Sequence, residues 1–152
     1  MDKNNKPINF KIATPERVVF KDEVSQITLP TQMGEITVLP NHVPLISALV
    51  AGEVKVKKGN LEKVMSVSGG FIEIQAEKVV VLADTAERAE EIDIKRAEEA
   101  KKRAEQAMDK KQMDAVQFAC LAAQIEKEMA RIRVGRKYKR IDQVGRIPKY
   151  KE

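Results

Sequence analysis

The run Ile92-Asp93-Ile94-Lys95-Arg96-Ala97 sets a carboxylate three residues before a guanidinium. On a helix that spacing places the two on neighbouring faces, where Asp93 can accept from an amino or hydroxyl group and Arg96 can pair with a phosphate through its planar fork of donors. The competing reading is an intrahelical Asp93–Arg96 ion pair, a common feature worth about 0.2–0.5 kcal/mol. A second charged group, Arg131, Arg133 and Arg136, follows the last apolar-periodic stretch, and the nearest acids, Glu126 and Glu128, stand a turn behind it. Local pairing cannot neutralise all three cations, so they predict docking on an acidic surface.

Covalent and acid–base chemistry find few carriers. The one histidine, His42, lies between Pro40 and Pro44, and without a positioned partner it reads as a loop hydrogen-bonder rather than a general acid or base. The single cysteine, Cys120, cannot form an internal disulfide; its helical, apolar context reads as a small core residue in a reduced compartment. Gly69-Gly70 lacks the GxxxxGK(S/T) surroundings of a phosphate loop and reads as a β-bulge or a close backbone approach, the bulge preferred. Carboxylates in the helical half are mostly matched by cations at i+3 or i+4. No set of nucleophile, base and oxyanion donors suggests itself, and no metal site or required cofactor is expected.

The elements that must hold these residues change character between Met65 and Ala97. Before it the hydrophobic period is two: Ile8-Phe10-Ile12, Val18 to Phe20, Val24 to Leu29, Ile36 to Val38, Leu45 to Leu49, Val54 to Lys57, Leu61 to Val67, Phe71 to Ile74 and Val79 to Ala83 all read as short strands. Lys21-Asp22-Glu23 reads as a turn, Leu29 to Gly34 as a loop, and Lys58-Gly59-Asn60 as a hairpin turn. Some eight to ten short strands, expected to be antiparallel, are the mark of a β-sandwich. The polar segment Met1 to Pro7 is expected to fray and carries no apolar core of a leader. No run is long enough to cross a bilayer, so the chain is expected to be soluble and unprocessed.

From about Thr85, read as an N-cap, the pattern turns helical, with a second start near Ile92-Asp93. Asp93, Ala97, Ala100, Ala104 and Ala107 form one stripe, Asp109 to Gln112 reads as a turn, and Ala115, Phe118, Ala122, Ile125, Met129 and Ile132 form another. Two such stripes predict an antiparallel helical hairpin. An alanine seam buries little area, at about 0.8 kcal/mol per methyl(ene), so a closed pair of this kind is one a modest ligand can shift. The fold class is therefore α+β, an N-terminal sandwich over residues 1–88, a two-helix hairpin over 89–135, and a basic extension over 136–152.

Charge separates the halves. Up to Arg88 there are 11 Lys and Arg against 11 Asp and Glu, so the net charge of +5 lies wholly in the helical half, and from Met113 onward 10 basic residues face 5 acidic ones. A nucleic-acid-binding module is the competing reading of this basic end. Phosphate binding needs such charge, but the sandwich is neutral and offers no aromatic stacking platform, so a docking arm for an acidic protein fits better.

Gly34-Glu35-Ile36-Thr37-Val38-Leu39-Pro40-Asn41-His42-Val43-Pro44, Val67-Ser68-Gly69-Gly70-Phe71 and Leu82-Ala83-Asp84-Thr85-Ala86-Glu87-Arg88-Ala89-Glu90 closely resemble, in order and spacing, the bacterial epsilon subunit of the F-type ATP synthase. The resemblance covers roughly Ile8 to Val134. It implies a non-catalytic rotor subunit of a proton- or sodium-driven synthase. The sandwich would bind the gamma subunit and the membrane rotor ring of c subunits, while the hairpin folds beside it or extends into the alpha/beta catalytic head and blocks ATP hydrolysis. It also implies peripheral association with the cytoplasmic face of the bacterial cell membrane and no role for nucleic acid.

In that light Glu35 and His42 are the candidate rotor-ring contact loop. Ile92 to Ala97 resembles the family's ATP-sensing motif, which makes Asp93, Arg96, Glu87, Arg103 and Arg131 candidates for binding ATP as a regulatory ligand. Arg131, Arg133 and Arg136 are the candidate contacts to the catalytic head. The basic stretch after Val134 departs from the family pattern.

Overall fold

A computed structural model of the chain describes residues 6–110 and 112–143. Lys111 of the expected interhelical turn and Arg146, Lys149 and Lys151 of the basic end lie outside the described residues. The strands are β1 (Ile8–Ala13), β2 (Val18–Val24), β3 (Gln26–Thr31), β4 (Gly34–Val38), β5 (Leu45–Leu49), β6 (Gly52–Lys58), β7 (Leu61–Val67), β8 (Gly70–Ile74), β9 (Lys78–Ala83) and β10 (Ala86–Arg88). A 3₁₀ turn (Ala89–Glu91) leads to α1 (Ile94–Lys110) and α2 (Ala115–Gln143).

Hydrogen bonding runs β10-β7-β6-β3-β5-β8-β9-β1-β2, with β4 on β3. The sheet folds on itself into a sandwich because alternate residues are apolar: Ile8, Phe10 and Ile12 of β1 point inward to Val79 and Val81 of β9, Ile72 and Ile74 of β8, and Ile27, Leu29, Val54 and Met65 of the facing strands. All strand pairs are antiparallel except β1 with β9, which run parallel against expectation. β1 is separated from β9 by most of the sandwich, so the connection has room for the crossover that parallel pairing needs.

Lys21-Asp22-Glu23 is not a turn. These residues pair with Lys11, Phe10 and Asn9 inside β2, and Asp22 also receives Lys58 Nζ at 2.7 Å. The chain only bends at Ser25, whose N–H and hydroxyl both donate to Lys57 O, and passes directly into β3. Gly69-Gly70 is the close approach rather than the bulge: the register of β8 with β5 and β9 runs unshifted through Gly70, and a Cβ there would lie 2.1 Å from Leu82 O. Thr85 caps no helix. Its hydroxyl donates to Ser68 Oγ at 2.7 Å, and Glu87-Arg88 continue as strand because β7 offers an open edge.

The first helix starts at Ile94, where Asp93 Oδ1 accepts the Arg96 N–H at 3.1 Å, and the second starts after Asp114, which caps Gln117 in the same way at 2.8 Å. In α1 the expected stripe holds for Ala97 and Ala104, which are buried, and for Ala100 and Ala107, which are half-buried. Asp93 does not extend it, since a capping carboxylate stays at the exposed helix end.

In α2 the expected stripe is only partly inward: Ala115, Phe118 and Met129 are exposed, and Cys120 is exposed rather than core. The buried positions are Glu128, Ala130, Ile132, Val134 and Gly135. The cause is a difference in length. At 29 residues against 17, α2 outruns α1, and its later half meets β6, β7 and the 3₁₀ turn while α1 packs mainly on α2. Helix α2 also runs eight residues past Gly135, to Gln143, into the basic extension that starts at Arg136.

Candidate functional site

A cavity of about 720 Å³ lies at the seam between sandwich and hairpin, within the range of small-molecule sites. Its position follows from three local choices. Pairing of β10 with β7 sets Glu87 opposite Ser66. The Asp93 cap fixes the first turn of α1, so that Arg96, Ala100 and Arg103, at i, i+4 and i+7, face the sheet together. Helix α2 supplies Lys127, Glu128 and Arg131 from one turn.

The walls are polarised. Acids come mostly from the sandwich side, where Glu16, Asp84, Glu87 and Glu91 line the cavity; cations come mostly from the helices, as Arg96, Arg103, Lys127 and Arg131. Arg17 on the sheet wall is engaged by Glu91 at 2.9 Å. Among the described residues no acceptor is paired with the side chains of Arg96, Arg103 or Lys127.

Arg131 is the fixed point of the site. Its Nε donates to Glu87 Oε2 at 2.7 Å, one terminal nitrogen donates to Glu87 Oε1 at 3.4 Å, and the other to Glu128 Oε2 at 2.8 Å. Burial opposes charge on this guanidinium, but the hydrogen bonds and charges of Glu87 and Glu128 outweigh it and raise the pKa above the ordinary arginine value. Glu128 is only 4% exposed, so its carboxylate depends on Arg131 for compensation. The triad joins β10 to α2 across the seam.

Of the residues expected at a nucleotide site, Glu87, Arg96, Arg103 and Arg131 thus share one cavity, and Asp93 stands outside its lining. Asp93 acts on the site through Arg96, whose turn it caps. The sequence reading missed Glu128, because a buried acid between two cations at i−1 and i+3 looks like an ordinary surface pair.

The expected docking trio is divided by the helix geometry. Arg131 faces the cavity just described, whereas Arg133 and Arg136 face a shallower groove of about 560 Å³ on the other side of α2, with Lys101, Lys137 and Arg140 around Met129 and Ile132. Positions 131 and 133 lie two apart, and such neighbours project to different sides of a helix.

Glu35 and His42 are likewise separated. Gly34, at φ +108°, ends the turn and lets Glu35 pair with Pro30 inside β4. His42 follows the far end of that strand, with Nδ1 2.7 Å from Val43 O, in the loop that Asn41 ties to Ala76.

A further surface escaped the sequence reading. Ala48, Phe71, Leu82, Ala13 and Val18 are successive cross-strand partners over β5, β8, β9, β1 and β2, and Phe71, Leu82 and Val18 are 64%, 59% and 51% exposed. The signal was the run Val79-Val80-Val81-Leu82, which is apolar at both parities where a half-solvated strand alternates. Among the described residues no helix is long and apolar enough to cross a membrane, and no group of three His, Cys, Asp or Glu could hold a metal.

Comparison with known proteins agrees with this architecture. The ATP synthase delta/epsilon chain β-sandwich domain matches residues 7–89, and the long α-helix domain of the same chain matches residues 90–135. An ATP synthase epsilon chain of Dehalococcoides mccartyi is 47% identical over 90% of this chain and 98% of its own length. One from Chloroflexus aggregans is 42% identical over 88% and 95%. A chain in the Euglena gracilis mitochondrial ATP synthase, solved with OSCP, F1 and the c-ring, has the same fold at a TM-score of 0.71 and 23% identity, covering 86% of this chain and 82% of that one. With two domain matches that together span residues 7–135 and relatives this similar over nearly their whole length, the chain belongs to the delta/epsilon chain family of ATP synthases, as an epsilon chain.

Proposed function

We propose that this chain is the non-catalytic epsilon subunit of an F-type ATP synthase rotor, that its sandwich joins the gamma subunit to the membrane ring of c subunits, and that its hairpin restrains ATP hydrolysis in a manner relieved by ATP. The observation that carries the regulatory part is the meeting of Glu87, Arg96, Arg103 and Arg131, from three separate elements, around one cavity. Its polarised walls fit a nucleotide. Acids on the sheet wall can accept from an adenine amino group or ribose hydroxyls, and the unpaired cations of α1 and α2 can bind the phosphates. A ligand spanning the seam contacts both domains only when the hairpin is folded down, so it stabilises that form by linkage.

The apolar ladder from Ala48 to Val18 supports the stalk part. Exposed apolar rows of this extent mark docking surfaces, and this one offers the gamma subunit a flat sheet face. Arg133 and Arg136 suit acidic segments of the alpha/beta head once the hairpin extends. Association with the cytoplasmic face of the cell membrane follows through the complex, as a peripheral subunit.

Calorimetric titration of the full chain with ATP tests the site. Arg96→Ala and Arg103→Ala should each weaken binding about tenfold, the loss of one charge-assisted hydrogen bond, while Arg140→Ala outside the cavity should not. No heat with the unaltered chain, or equal affinities in all four proteins, would remove the cavity from any nucleotide role.

A further inference from the structure

We propose that the end of α2, residues 136–143, is a clasp that holds the hairpin against the sandwich without any ligand, and so biases this chain toward the folded-down, non-inhibiting form. The proposal rests on the reading above that the hairpin opens. The match to the long α-helix domain ends at residue 135, and the helix here continues to Gln143.

The first three residues past that point each engage a different body. Arg136 pairs with Glu98 of α1. Lys137 Nζ donates to Glu53 Oε1 on β6 at 2.6 Å, and Glu53 is largely shielded, with its side chain 13% exposed and Lys55 Nζ 3.6 Å from the same oxygen. Tyr138 packs on the small apolar cluster of Ala89, Ile92 and Val134 with Val64 and Ile94, in which the sheet, the linker and both helices meet.

Arg136 fastens the two helices to each other, and Lys137 and Tyr138 fasten that pair to the sandwich. Helix α1 packs mainly on α2, so the hairpin stays on the sandwich through α2. Gly135 brings α2 down at this point, since a Cβ there would lie 2.9 Å from Ile94 Cγ1 and 3.1 Å from Ile92 Cγ2. None of Glu53, Glu98, Arg136, Lys137 or Tyr138 lines the interdomain cavity. The clasp and a ligand in that cavity therefore act on the same closed state from separate places, and their effects combine.

Spin labels on the exposed native Cys120 and on a cysteine replacing the exposed Glu62 report hairpin and sandwich separation in the full chain by pulsed electron–electron resonance. Without nucleotide, Lys137→Glu sets two carboxylates face to face and should raise the open fraction about fivefold. Adding Glu53→Lys should return it toward the starting value. Tyr138→Ala, which leaves the charges in place, should also raise it. Equal open fractions in all variants, with ATP still closing each of them, would overturn the clasp and leave the opening hairpin intact. A single unchanging distance in every protein, with and without ATP, would overturn the opening itself and the clasp with it.

Discussion

The sandwich is closed by Phe10, Ile12, Ile27, Leu29, Met65 and Ile72, each almost wholly removed from water. The hairpin is closed by Ala97, Ala104, Ala130 and Gly135, with Ile132 and Val134 as its largest buried aliphatics. The first set buries large side chains, at about 1.5–3 kcal/mol each, while each methyl(ene) of the second is worth about 0.8. The difference is one of kind as well as size. Two faces of a single sheet share one core and cannot part without unfolding, whereas two helices joined to that sheet by a short linker can leave it and remain helices. What holds them down is local: the Arg131 triad, the Lys137–Glu53 pair and a small apolar cluster around Ile92. The contrast suits a part that transmits torque continuously and a part that must change partners.

Attacking the sandwich gives the largest effect. Phe10 packs on Phe20 in a tilted arrangement with ring centroids 5.8 Å apart, and Phe10→Ala should cost about 3–5 kcal/mol as a cavity in a core that cannot collapse around it. Thermal unfolding followed by circular dichroism should show one lowered transition for the strands, and the chain should lose its hold on the gamma subunit. A loss confined to the helical signal would mean that the two regions are less independent than their cores imply.

A substitution at the seam should do the reverse. Gly135→Val places methyl groups where Ile92 and Ile94 already stand, an overpacking worth about 1–3 kcal/mol, partly offset because valine is the better helix former. The strands should melt at an unchanged temperature while the hairpin opens and inhibition of ATP hydrolysis strengthens. If sandwich and hairpin signals shift together, Gly135 serves the whole fold rather than the seam.

How much of this the sequence disclosed also follows the division. In the sandwich, inward residues alternate with outward ones, so Ile8-Phe10-Ile12 and its counterparts locate strands and core directly. Turns were less legible where charge decided the reading: Lys21-Asp22-Glu23 looks like a loop until Lys11 and Lys58 supply its partners. In the hairpin the period of α1 was plain and that of α2 misleading. Its spacing from Ala115 to Ile132 assumes one partner, while the actual helix outruns α1 and has the sheet beneath its later half.

Glu87, Arg96, Arg103 and Arg131 could be named from a resemblance, but their convergence depends on β10 remaining a strand, which β7 and not local propensity dictates. Lys137 and Tyr138 gave no signal because each matters only through a contact made across the seam, and Glu128 gave none because its pair with Arg131 three residues on looks ordinary until its burial is seen.

The smallest expected effect probes the clasp through a proton. Burial, and then the charges of Glu90 and Asp142, raise the Tyr138 pKa above the ordinary 10.0. The neutral phenol is favoured in the closed form, so its contribution is fully present below pH 10.0, the value in the freed state, and is lost as pH rises through the higher value in the closed state. Above that ordinary value the hairpin should loosen while the sandwich persists. Tyr138→Phe keeps the ring in its cluster and removes the ionisation, so it should withstand alkali better than the unaltered chain. The measurement is the open fraction between neutral pH and the alkaline limit of the strand signal, with the two proteins compared at each pH. Identical profiles would mean that other groups govern alkaline opening and that the ring of Tyr138 contributes to the seam by its area alone.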